Sequence, residues 1–181
     1  FPKYKVFIDG RADVYGPERN MLYAHMVYPD GPEWNRIFRE MGINFVLMDS
    51  LLPGKRGLID ELVESTEWAL VYWDDAVSLF VRAIPEHALV IEDHAAPQIH
   101  PLRQDEGLTK RWETSEEYAK GLAQLEKRAG ESPPSSKVFR TLSYIYGRQG
   151  QLDQALQAIN SCLNVSPRDP VAHTRRGQIM E

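Results

Sequence analysis

The sequence predicts a small α/β sheet domain followed by an all-helical segment, and three observations predict it. Strand-sized apolar runs alternate with short amphipathic helices over residues 1–95, and beyond them only helical periodicity remains. Within the helical part Pro133 and Pro167 recur at an interval that calls for a repeat test. The charge is unequally shared. Residues 1–101 carry 9 basic and 16 acidic side chains, net −7, whereas residues 102–181 carry 12 and 10, net +2.

Each element has a local reason. Tyr4–Ile8 is β-rich and ends in the turn residues Asp9-Gly10. Asp30-Gly31-Pro32 signals a helix start, with Trp34, Ile37, Phe38 and Met41 following at i, i+3, i+4 and i+7 and Gly42 at the expected C-cap. Ile43–Met48 is a continuous apolar run, the kind of strand buried on both faces. Pro53-Gly54 turns the chain, and Leu58, Ile59, Leu62 and Val63 make a second short helix. Trp68–Trp73 and Val77–Arg82 are strands joined through Asp74-Asp75 as a hairpin, and Pro85–His94 is a short helix. The order β-α-β-α-β-β predicts a small mixed sheet. Its first strands should run parallel through right-handed crossovers, and its last two should form an antiparallel edge pair.

Residues 96–112 hold Pro97, Pro101 and Gly107 without a sustained period and read as a linker between an α/β domain at 1–95 and helices at 113–181. Tyr118, Leu122 and Leu125 mark one helix face; further helices follow near Lys137–Arg148, near Leu152–Val165 and from Pro170.

Composition narrows the function. At 181 residues, 43% hydrophobic and 26% charged, the chain is neither disordered nor fibrous. A net charge of −5 argues against a nucleic-acid partner, which calls for a basic stripe. The single cysteine, Cys162, forms no internal disulfide; among apolar neighbours it reads as a buried small hydrophobe. No apolar run approaches the roughly 20 residues of a membrane helix. There is no signal peptide, the chain starts at Phe1, and it stops at Glu181 within a helical pattern, so it reads as a piece of a longer protein. No nucleophile elbow, dinucleotide fingerprint or phosphate-binding loop is present, and no cofactor is expected. An enzymatic role for this piece is left open but not favoured.

The repeat test gives a definite pattern. With Ser136 as first position, Phe139, Leu142, Ser143, Tyr146, Gly150, Ala155, Ile159 and Pro167 carry large, small and turn-forming residues where two packed helices need them. Ala155 is small where helices approach closely, Gly150 allows a tight turn, and Pro167 ends the second helix. The interval from Pro133 to Pro167 equals the tetratricopeptide period. Ser136–Pro167 therefore resembles a tetratricopeptide repeat; the competing reading is a generic helical hairpin with a proline period. Leu125 and Pro133 fit the second half of an earlier unit, with Gly121 where alanine is usual, while the first half of that unit is not recognisable. Pro170–Glu181 resembles the start of a following unit: Gly177 fits, but His173 and Arg176 replace apolar residues.

The first half carries a second resemblance. The run Val6-Phe7-Ile8-Asp9-Gly10-Arg11-Ala12-Asp13-Val14-Tyr15-Gly16 is distinctive. So are Trp34, Asn44–Leu47, Trp68, Val71–Asp75 and Leu79–Arg82, which follow it in order. Together they resemble the soluble region after the last membrane span of some multi-pass bacterial proteins related to lipid-linked-sugar glycosyltransferases, many of which continue into tetratricopeptide repeats. The resemblance implies an extracytoplasmic domain on the periplasmic side, tethered by membrane spans upstream of this chain. It implies no catalytic residue here, because in such transferases the chemistry belongs to loops between the membrane helices.

Two residue sets are candidates for binding. Asp9, Arg11 and Asp13 follow the carboxyl end of the first strand, where open α/β sheets hold ligands; two carboxylates around a guanidinium suit a sugar or a polar group, and equally a self-satisfied turn. Lys137, Arg140 and Tyr144 occupy inner-face positions of the repeat's first helix, with Val171, Thr174 and Gln178 their counterparts in the next. They suit an acidic or C-terminal peptide, or else a solvated face or a surface meeting the α/β domain. Glu92, Asp93, His94 and His100 are metal-competent types at spacings that fit no defined site, so no metal is expected. The leading expectation is a non-catalytic extracytoplasmic domain with a protein- or peptide-binding repeat. The alternative is an accessory domain of a membrane glycosyltransferase that binds an acceptor or a glycan.

Overall fold

The computed structural model describes residues 12–27, 33–49 and 56–181. The segments Tyr4–Ile8, Asp30–Pro32 and Pro53-Gly54, expected as a strand, a helix start and a turn, lie outside them. The described part is mixed α/β, with a three-stranded antiparallel sheet flanked by helices and a helical region at the carboxyl end.

Helix α1 (Ala12–Val27) is two short helices abutting at a kink, where Gly16 takes φ 77° and Pro17 follows. The glycine and proline dilute its apolar pattern, which is why the sequence gives no clear sign of it. Helix α2 (Glu33–Glu40) buries Trp34, Ile37 and Phe38 at the expected spacing. It ends in a Schellman motif: the N–H of Ile43 donates to Phe38 O at 2.8 Å and that of Gly42 to Arg39 O at 3.1 Å, with Gly42 at φ 64°. Met41, placed on the buried face by its spacing, falls beyond the last helical turn and is 50% exposed.

Strand β1 (Phe45–Asp49) corrects one expectation. It is buried on one face only, with Val46 and Met48 inside and Phe45 and Leu47 outside. Helix α3 (Arg56–Glu64) buries Leu58, Ile59 and Leu62. Strands β2 (Trp68–Trp73) and β3 (Val77–Arg82) form the expected antiparallel hairpin, with a register shift between Leu70 and Tyr72. Asp74 builds the turn: its Oδ1 accepts the N–H of Ala76 and of Val77, each at 2.8 Å, and Tyr72 donates its hydroxyl to Oδ2 at 2.7 Å.

The hairpin does not end the sheet. The order is β1-β3-β2, so β3 is central and antiparallel to both neighbours, and β1 and β2, though parallel in direction, do not touch. In the central strand Ser78, Phe80, Val81 and Arg82 are all enclosed.

A 3-10 turn at Pro85–His87 leads into α4 (Ala88–His94), which packs on β2. The stretch with a linker's composition then packs as core. Ala96, Ile99, Leu108 and Trp112 are buried, and Asp105–Thr109 forms the one-turn helix α5. Helices α6 (Ser115–Ala129), α7 (Ser136–Arg148), α8 (Leu152–Val165) and α9 (Pro170–Met180) follow at the expected places. Thr114 starts α6 with a capping box that includes Glu117. One apolar cluster runs from Met26 through the sheet and residues 96–112 to Ile145 and Ala158; Ile159, Cys162, Leu163 and Ala172 form a second, smaller one.

His100 pins the 96–112 stretch to α3. Its ring is 1% exposed, Nε2 donates to Asp60 Oδ1 at 2.8 Å, and Nδ1 accepts the N–H of Leu102 at 3.3 Å. Burial pushes the imidazole below its ordinary value of 6.5, more than Asp60 can raise it. A depressed histidine gives stability that is present above 6.5 and lost as pH falls through the folded value, because the unfolded chain then binds a proton the native ring refuses. Urea unfolding at pH 7.5 and pH 5.5 should therefore show a larger acid loss in the native sequence than in His100→Gln. Equal losses in the two chains would contradict this account.

Candidate functional site

The helical region repeats its chemistry at the interval that separates Pro133 from Pro167. Ser135 and Asp169, one such period apart, are the N-caps of α7 and α9. The Ser135 hydroxyl accepts from Val138 N, and the Asp169 carboxylate accepts from Val171 N and Ala172 N at 2.9 and 3.0 Å. Val138 and Ala172, at the same spacing, are both buried. Helices α6 and α8 correspond likewise: Leu125 and Ile159 are buried, and Gly121 stands where α8 has Ala155.

Leu108 and Trp112 precede Leu142 and Tyr146 by one period, and both are buried, with α5 packed beside α7. Gly121 is required by that arrangement. A Cβ on it would lie 2.3 Å from the Trp112 ring, which is held by its Nε1–H donating to Gln98 O at 2.8 Å.

Lys137, Arg140 and Tyr144 share one side of α7, but Arg140 and Tyr144 are engaged within the chain. The Arg140 guanidinium donates to Asp169 Oδ2 at 2.9 Å and lies 3.8 Å from Asp105 Oδ2. Arg175 donates to the same Asp105 oxygen at 2.9 Å and to the Arg140 carbonyl at 2.7 Å, and its guanidinium covers the Tyr144 ring at 5.4 Å. Asp105 sits at φ 52°, an uncommon conformation for a residue other than glycine, which lets its N–H reach Thr141 Oγ1 at 3.2 Å. These charges join α5, α7 and α9 along one side. Asp105, Asp169 and Arg175 were not among the expected residues. Asp169 had a local signal, an N-cap aspartate before Pro170, but Asp105 and Arg175 are 70 residues apart and had none.

Beside this network lies a groove of 280 Å³ lined by Pro170, Val171, Thr174, Arg175 and Gln178. Three of these, Val171, Thr174 and Gln178, are the expected inner-face positions, and Val171 is 45% exposed.

Lys137 lies where the start of α7 meets the sheet. Asp75, in the β2–β3 turn, caps α7 from outside: its carboxylate accepts the Ser135 and Ser136 hydroxyls, both at 2.6 Å, and the N–H groups of Ser136 and Lys137 at 2.9 and 3.0 Å. Burial alone would raise the Asp75 carboxyl, but these four donors outweigh it and hold it below the ordinary value. Burial lowers the Lys137 ammonium, although Asp75, Asp74 and Asp49 pull it upward.

A second tie between the sheet and the helices is Arg128, 2% exposed. Its Nε donates to Trp73 O at 2.8 Å and an Nη to Pro133 O at 2.9 Å, and its guanidinium covers Tyr72.

Asp9 and Arg11 lie outside the described residues, and Asp13 is described only as part of the α1 backbone. Glu92, Asp93 and His94 are exposed on α4 while His100 is enclosed against Asp60, so these metal-competent types do not converge. Among the described residues no group of three or more His, Cys, Asp or Glu side chains is placed to hold a metal ion. Burial pushes the Cys162 thiol up to about 11, which leaves it protonated and unreactive at neutral pH. Among the described residues no helix is long and apolar enough to cross a membrane. No protein family, curated protein or solved structure matches the chain.

Proposed function

We propose that the chain is a non-catalytic, extracytoplasmic region of a membrane-tethered bacterial protein. Its helices α5–α9 act as a tetratricopeptide-type surface for a protein partner. The observation that supports this most is the recurrence of caps and buried positions at one fixed interval: Ser135 with Asp169, Val138 with Ala172, and Leu108 with Leu142. Repeats of this kind stack helix pairs and use one side of the stack for recognition. The groove on α9 is lined by the residues read as inner-face positions, and its exposed valine, its threonine and its glutamine suit an extended peptide segment better than a charged one. Arg140 and Arg175 are already neutralised by Asp105 and Asp169, so they serve this surface by bracing it. The extracytoplasmic, membrane-tethered part of the proposal rests on the motif resemblance of residues 4–82.

A photo-crosslinking amino acid at Gln178 in the full-length protein should give a discrete adduct in cells, and the same group at the exposed Gln157 on α8 should give none. Val171→Asp should abolish the Gln178 adduct without lowering the melting temperature. Equal labelling from both positions, or none from Gln178 in a folded protein, would remove the interaction surface. A periplasmic reporter fused ahead of Phe1 that stays inactive would remove the extracytoplasmic placement.

A further inference from the structure

Of the five residues that line the α9 groove, Arg175 alone carries a charge. A guanidinium in a small groove draws a carboxylate, because the bond between them is charge-assisted. Here the guanidinium is already engaged within the chain. One Nη donates to Asp105 Oδ2 at 2.9 Å and the other to the Arg140 carbonyl at 2.7 Å. The side chain is only 16% exposed. Arg140 donates in turn to Asp169, so two carboxylates and two guanidiniums alternate in the order Asp169, Arg140, Asp105, Arg175, and their charges sum to zero.

Asp105 is a costly residue to keep for stability alone. It holds φ 52°, and its Oδ1 is buried without a hydrogen-bond partner, as is the Nε of Arg140 beside it. A left-handed conformation and an unsatisfied buried oxygen both oppose folding. What its carboxylate achieves is electrostatic: it is bonded directly to the one charge in the groove.

We propose that Asp105 sets the specificity of the groove: by holding Arg175 and cancelling its charge, it makes the groove accept an uncharged extended peptide and turn away an acidic one. The inference rests on the peptide-binding reading of α5–α9 and adds the residue that decides the partner's charge. Asp105 heads α5 and does not line the groove, so it acts through Arg175 as a positioning residue. An uncharged segment meets Val171 and the Gln178 amide without disturbing the network. An acidic one must take Arg175 from Asp105, which exchanges one carboxylate for another and leaves Asp105 unpaired beside it.

Selection from a random heptapeptide library displayed on phage, with the full chain as bait, tests this. The native sequence should enrich uncharged peptides, and Val171→Asp should lose them. Asp105→Asn keeps the left-handed backbone, which asparagine tolerates, and frees the guanidinium. It should bind an enriched peptide carrying one added aspartate about fivefold more tightly than the uncharged parent. Asp105→Asn combined with Arg175→Gln has an uncharged groove again and should return to the uncharged parent, a rescue that a purely structural role would not produce. In the native chain, NMR should show slow rotation about the Arg175 Cζ–Nε bond, since both Nη groups are held. Fast rotation there, enrichment of acidic peptides by the native chain, or an unchanged preference in Asp105→Asn would overturn the proposal while leaving the groove a peptide site. Enrichment by neither chain, or enrichment that survives Val171→Asp, would remove the peptide site and this proposal with it.

Discussion

Gly121→Ala should destabilise the protein, against the usual direction for this substitution in a helix. In an exposed helix interior alanine is favoured over glycine by about 1 kcal/mol. Here the added methyl would sit 2.3, 2.4 and 2.8 Å from three atoms of the Trp112 ring, closer than any real Cβ contact. The ring cannot retreat easily: it is 8% exposed, edge-on to Tyr118 at 5.4 Å, and held through Nε1 to Gln98 O. Overpacking of this kind costs about 3 kcal/mol. The net loss is then about 2 kcal/mol, a fall of about 6 °C in melting temperature for a chain of this size. The decisive comparison is a double-mutant cycle. In a Trp112→Ala background the clash is gone, and Gly121→Ala should stabilise by about 1 kcal/mol. A destabilisation of equal size in both backgrounds would mean that Trp112 is not the reason for the glycine.

Asp75→Ala should cost about 3 kcal/mol, the second large effect. One carboxylate satisfies two hydroxyls and two backbone N–H groups at the start of α7, and its removal leaves four donors short of an acceptor at the positive end of a helix. The loss is in the joint between the β2–β3 turn and the start of α7, so the packing of α7 against the sheet should loosen with it. The pH dependence carries a definite sign. The folded carboxyl is held below its ordinary value of 3.8, so its contribution is present above that value and fades as pH falls through the folded one. The gap in unfolding free energy between the native sequence and Asp75→Ala should thus be constant from pH 7 to pH 5 and shrink below 3.8. A gap independent of pH into the acid range would mean that the charge is not what matters.

Much of the architecture was legible one element at a time. The i, i+3, i+4 spacing of Trp34, Ile37 and Phe38 placed α2, and Gly42 placed its end. Helical periodicity and the interval from Pro133 to Pro167 placed α7, α8 and the start of α9. Two strand-like runs on either side of Asp74-Asp75 placed the hairpin, and Asp74 proved to be a turn residue held by the Ala76 and Val77 N–H groups and the Tyr72 hydroxyl. These are local matters of backbone sterics, caps and burial period, so a short window of sequence contains them. Helix α1 was not legible, because Gly16 and Pro17 interrupt its pattern. The exposure of Phe45 and Leu47 was not legible either, since an apolar run shows that a strand has two apolar faces without showing what covers each.

The candidate site divides in the same way. Lys137, Arg140 and Tyr144, and the counterparts Val171, Thr174 and Gln178, were picked out by the resemblance to a tetratricopeptide unit, and the groove is lined by the last three. That Arg140 and Tyr144 are claimed by Asp105, Asp169 and Arg175 could not be read, because no local rule links a residue to a partner so distant in the chain.

By itself the sequence determined where the hairpin and helices α2, α3 and α6 to α9 lie, and which faces of those helices are apolar. Only the tertiary structure decided that β3 is the central strand, that Asp75 caps a helix 61 residues further on, and that the proline-rich stretch at 96–112 is core, anchored by His100 and Trp112. The physical reason is common to all three. Propensity and period are set by neighbours in the chain, whereas the choice among partners for a charge, a ring or a strand edge is set by which groups are left without water when the chain closes.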